Sequence, residues 1–170
     1  MWWYLCVIKK GAMAARKTVA IIASTNEKIV AIISKLSLED SRLLLVSKYP
    51  NQFTELSRDV ACNHPNVELE IIDCMKDGCW EADIIILDIA YDEETEVTEL
   101  IKEVSTQKIV VSFSKNENSE LQNLLKHSKV VIAAVNPTNS TCITFSGEDH
   151  DAVQEVLNIL KNSEESKVTI

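Results

Sequence analysis

With 170 residues the chain is long enough for one domain with a real hydrophobic core. Its composition, 46% apolar and 25% charged, is that of a soluble globular protein, and its formal net charge of -9 argues against nucleic-acid and anionic-membrane partners. The five cysteines, Cys6, Cys62, Cys74, Cys79 and Cys142, follow no zinc-binding spacing, and their odd number reads as reduced thiols in a cytoplasmic setting.

The chain opens on an apolar octet, Met1 to Ile8, followed by Lys9-Lys10. Eight residues cannot cross a bilayer, and the charge lies on the wrong side for a signal peptide. Residues 1–16 therefore read as an N-terminal extension, native or introduced, with an extra edge strand as the alternative and Met13 as a candidate start. The continuous apolar run Thr18-Val19-Ala20-Ile21-Ile22-Ala23 marks a strand buried on both faces. Ile29, Ile32, Ile33 and Leu36 then fall on one helical face.

Arg42 to Val46 forms a second buried strand, and Pro50 stands near the start of a helix bearing Phe53, Leu56 and Val60. Residues 67–72 alternate, as a less buried strand does. Residues 83–89 form the most apolar strand, followed by a helix with Val97, Leu100, Ile101 and Val104 on one face. Strand 108–113, a short helix around Leu121, Leu124 and Leu125, strands 130–135 and 141–145, and a helix with Val153, Val156, Leu157 and Leu160 complete the order. Residues 17–162 read as the domain and 163–170 as a disordered tail.

Strands alternating with amphipathic helices predict an α/β fold, a doubly wound and mainly parallel sheet with helices on both faces. Residues 136–140 are too few for a parallel crossover, so the last two strands should pair antiparallel. Ligands of such sheets bind beyond the strand C-termini, here the loops after Ala23, Val46, Ile89 and Phe113.

Several segments carry a resemblance. Lys17-Thr18-Val19-Ala20-Ile21-Ile22, Ser47-Lys48, Glu81 to Asp92, Ser128-Lys129-Val130-Val131 and Ile143 to Asp149 occur in the order and spacing of a known family. Over roughly residues 17–161 the chain resembles the coenzyme F420 (deazaflavin)-dependent NADP oxidoreductases, relatives of pyrroline-carboxylate reductases. The resemblance implies a Rossmann-like domain that binds NADP and passes hydride to a flavin-like or small redox partner. It implies cofactor contacts at Ser24, Thr25, Asn26 and Lys28 in the first loop, at Ser47 and Lys48 on the 2′-phosphate, and at Ile89 and Ala90 on the nicotinamide side. It also implies a homodimer.

The departures are as informative. The family's G-x-G-x-x-G positions are Ala23, Thr25 and Lys28, and the chain's glycines, Gly11, Gly78 and Gly147, all lie elsewhere. Ser24-x-x-Glu27 is a capping-box pattern, in which side chains would satisfy the amides that a phosphate uses. The loop Ser114 to Asn118 is short where relatives build a second cofactor's pocket, so that cofactor stays unassigned. His64, His127 and His150 are scattered and read as surface residues, and no residue is assigned as catalytic. Asp88, at a strand end, needs a partner if it is buried. Two functions follow: an NADP-binding oxidoreductase-like protein with a degenerate phosphate loop, or a non-catalytic Rossmann-like module for protein binding or dimerisation.

Overall fold

The computed structural model describes residues 16–36, 41–47, 49–65, 67–113, 119–135 and 143–160. The expected N-terminal extension and C-terminal tail lie almost wholly outside these residues, as does Lys48.

Among the described residues, seven strands form one sheet: β1 (Lys17–Ala23), β2 (Ser41–Val46), β3 (Glu68–Ile72), β4 (Ile84–Asp88), β5 (Ile109–Ser112), β6 (Lys129–Val135) and β7 (Ile143–Ser146). The spatial order is β3-β2-β1-β4-β5-β6-β7, all parallel except the antiparallel β6–β7 pair. The helices are α1 (Asn26–Lys35), α2 (Thr54–Asn63, entered through a 3-10 turn at Pro50–Phe53), α3 (Met75–Glu81), α4 (Tyr91–Ile101), α5 (Ser119–Leu124) and α6 (His150–Ile159). This is the doubly wound architecture expected from the alternation of apolar runs.

Two cores follow from the pleat, because successive side chains of a strand face opposite ways. Val19, Ile21, Leu43, Leu45, Ile84 and Ile86 pack with α1, α2 and α6. Ala20, Ile22, Leu44, Val46, Ile85 and Leu87 pack with α3, α4 and α5. Central strands buried on both faces must be apolar throughout, which is why β1 and β4 read as unbroken runs. Edge strand β3 is half exposed, and its Glu68 and Glu70 pair with Arg42 of β2. An isolated antiparallel bridge joins Leu36, after α1, to Leu160, after α6.

Between Ile72 and Asp83, where no periodicity in the sequence predicts an element, the structure has α3. That helix has seven residues, too few for a visible period, and it buries only Gly78 and Cys79. No described helix is long and apolar enough to cross a membrane.

Candidate functional site

The chain runs outward from β1 to β3, then returns to place β4 on the other side of β1. Helix α1 therefore leaves β1 toward one face of the sheet, and α4 leaves β4 toward the other. The crevice between these departing loops is the place where such sheets bind ligands.

Ala23, the last residue of β1, pairs with Asp88, the last of β4. The Ser24 amide extends that ladder by donating to the Asp88 carbonyl at 3.2 Å. Thr25 then caps α1: its backbone is extended and its Oγ1 accepts from the Lys28 amide at 3.3 Å. The cap thus falls one residue later than the Ser24-x-x-Glu27 pattern suggested, and Glu27 is exposed. An extended backbone suits a branched residue, so Thr25 needs no glycine-like conformation. The positive φ found among described non-glycine residues is at Gln107, before β5.

The Lys28 side chain, 37% exposed, reaches across to the end of β4. Its Nζ lies 2.7 Å from Asp88 Oδ1 and 3.2 Å from the Asp88 carbonyl oxygen. The half-buried carboxylate at the strand end thereby gains its partner from the third glycine position of the family pattern.

After β2, the Ser47 amide donates to the Ile72 carbonyl at 2.9 Å, and its Oγ accepts from the Tyr49 amide at 3.0 Å. Ile89 is half-buried, and exposed Ala90 is the residue from which α4 starts. Asn26 is the first residue of α1.

Of these residues, Ser24, Thr25, Ser47 and Ile89 line a single cleft of about 200 Å3. Its apolar wall comes from Tyr49, Phe53, Met75, Val97 and Leu100, and α4 adds the carboxylates of Glu93 and Glu96. No motif in the sequence marks these lining residues as part of a site. They belong to separate elements, and only the packing of α3 and α4 against the sheet makes them neighbours. Lys28 and Ala90 do not line the cleft.

Within α4, the first-turn acid Glu94 enters the core instead of solvent. It accepts a hydrogen bond from Ser112 Oγ at 3.2 Å. Thr98, one turn on, is fully buried, and its hydroxyl has no hydrogen-bond partner among the described residues. His64, His127 and His150 are all exposed.

NADP fits this crevice in part. A half-apolar cleft lined by the hydroxyl-bearing Ser24, Thr25, Ser47 and Tyr49 suits a nucleoside end. The diphosphate end fits poorly, because Thr25 occupies the Lys28 amide and Asp88 neutralises the Lys28 ammonium.

No known family profile and no curated protein matches the chain. Solved structures do. A protein from Arthrobacter sp. FB24, provisionally assigned as an F420-dependent NADP reductase, is 17% identical over 90% of this chain and 83% of its own, with a TM-score of 0.58. A pyrroline-5-carboxylate reductase from Coxiella burnetii is 14% identical over 92% of this chain and 60% of its own, with a TM-score of 0.59. A Plasmodium falciparum pyrroline carboxylate reductase with NADP bound is 13% identical over 92% and 58%, again at 0.59. The chain thus spans about three fifths of each pyrroline-carboxylate reductase. At these identities the likeness establishes the fold: a Rossmann-type domain similar to those of NADP-dependent reductases.

Proposed function

We propose that this chain is an oxidoreductase-like domain that binds NADP in the β1–β4 crevice. The observation that supports it is the convergence of Ser24, Thr25, Ser47 and Ile89 on one cleft at the switch point of the sheet. Ser47 and Lys48 would hold the 2′-phosphate. Thr25, Asn26 and Lys28 would meet the diphosphate, and Ile89 with Ala90 would line the nicotinamide side. Hydride transfer to a second redox partner depends on positioning more than on an acid or base, so the reading needs no catalytic side chain. A cytoplasmic homodimer belongs to the same reading.

The test is a thermal-unfolding titration with NADPH and NADH in parallel. At a hundredfold excess over Kd, NADPH should add about 2.7 kcal/mol, a rise of about 5 °C or more for a domain of this size. NADH should do less, and Lys48→Glu should remove the NADPH shift. No shift at millimolar NADPH overturns the reading.

One observation favours a second reading. The Lys28–Asp88 pair and the Thr25 cap leave α1 starting on its own side chains. A non-catalytic Rossmann-like module for protein binding or dimerisation needs nothing more. It is supported by a dimer in sedimentation together with no nucleotide effect, and a measured NADPH affinity excludes it.

A further inference from the structure

We infer that Asp88 is the residue that sets the affinity of this crevice for a diphosphate, by cancelling the charge of Lys28. This rests on the NADP reading of the same site and goes beyond it. Lys28 is the one cation of the loop Ala23 to Lys28, and it sits in the first turn of α1, where the helix dipole also favours an anion. In the structure its ammonium makes two contacts, with the carboxylate and the carbonyl of Asp88.

A diphosphate arriving at α1 has two ways to meet that ammonium. Lys28 can leave Asp88, which strands a carboxylate whose side chain is 19% exposed, at the end of an apolar strand and close to the incoming anion. Alternatively, Lys28 can stay and offer its third N–H, since an ammonium has three donors. The ligand then faces a charge that Asp88 has already neutralised. Both routes make the Asp88 carboxylate the opposing term. The uncharged amide of asparagine keeps the shape and still accepts from Nζ, but it leaves the positive charge to the ligand.

The contact is local, so it discriminates between parts of the ligand. Asp88 ends β4, whereas Ser47 follows β2, two strands away. A nucleotide without a diphosphate should therefore be indifferent to Asp88.

The experiment is a calorimetric titration of the wild type, Asp88→Asn, Asp88→Ala and the double variant Asp88→Asn/Lys28→Met. Two probes are used, NADPH and adenosine 2′-monophosphate, and thermal unfolding confirms that each protein is folded. Removing the carboxylate should tighten NADPH about tenfold, the scale of one partly screened charge contact. Adenosine 2′-monophosphate should stay within about twofold of wild type, the scale left to distant, uncoupled groups. The double variant should lose the gain. If adenosine 2′-monophosphate binds but NADPH affinity is unchanged in both Asp88 variants, the inference is overturned while the site stands. An equal gain for both probes overturns it too, because the effect is then not on the diphosphate. If neither nucleotide binds any of the four proteins, the NADP reading falls and takes the inference with it.

Discussion

Thr25 carries the start of α1, and its contribution is measurable apart from any ligand. A lost side-chain cap costs about 1 kcal/mol. Thr25→Ala should therefore lower the urea-unfolding free energy by about that amount, whereas Ser24→Ala, whose amide bond to Asp88 survives, should stay within about 0.5 kcal/mol. A loss confined to Ser24→Ala would place the cap at Ser24 after all. Sequence could suggest capping, because a Ser-Thr-Asn run precedes an apolar helical face. It could not choose between neighbouring hydroxyls, since that depends on where β1 stops pairing with β4. It could not supply the Lys28–Asp88 contact either. Those residues are 60 positions apart and meet only through the Ala23–Asp88 register.

Cys79 illustrates a different residue-scale effect. Burial pushes its thiol up to about 12 from the usual 9.0, and the nearby Lys108 charge offsets only part of this. The folded state thus keeps the thiol proton to higher pH than the unfolded chain does. The associated stability is complete below about pH 9 and is lost as pH rises toward about 12. Lys108 is shifted down by burial and works in the opposite sense, so the slope must be compared with that of Cys79→Ala, which should be flatter over this range. In site-resolved alkylation at neutral pH, exposed Cys62 and Cys74 should label in the native protein, with Cys79 protected until it opens.

Among elements, those with a long apolar period were legible: β1, β2, β4 and β5, and the helices α1 and α6 with their i, i+3, i+4 faces. The antiparallel β6–β7 pair was also legible, because a short connection leaves the chain no alternative. Helix α3 was not. It contributes small buried residues, and the reason is steric: a Cβ on Gly78 would lie 2.6 Å from Val46 Cγ2. Gly147, between β7 and α6, is more constrained, since its Cβ would lie 2.7 Å from the Val130 carbonyl oxygen. Neither glycine has a positive φ, so space and not backbone freedom selects both. Gly78→Ala should cost about 1–3 kcal/mol of overpacking strain. Gly147→Ala should cost more, because a strand carbonyl yields less readily than a valine methyl. Urea midpoints of the two variants give the order, and a reversed order would contradict this account.

For the whole molecule, the sheet manages its two outer strands differently. At the β3 edge, Glu68 and Glu70 are tied to Arg42, Arg42 to Glu81 of α3, and Glu68 also to Arg16. Charged side chains along an edge discourage pairing with another sheet. The β7 edge is four residues long and alternates buried with half-buried positions. Short edge strands limit the same hazard by offering few free backbone groups.

The bridge between Leu36 and Leu160 has a consequence for how the fold is reached. It ties the extended residue that caps the end of the first helix to the one that caps the end of the last, across more than a hundred residues. During synthesis the β1–β2 pair can assemble early, since its strands are close in sequence, but this tie cannot close until residue 160 has left the ribosome. The face covered by α1, α2 and α6 is therefore completed late, whereas the face covered by α3, α4 and α5 draws on residues made earlier. A stalled nascent chain ending before α6 would leave Leu36 without its bridge and β6 and β7 without the helix that packs on them, the surface on which a chaperone would find this protein while it is still being made.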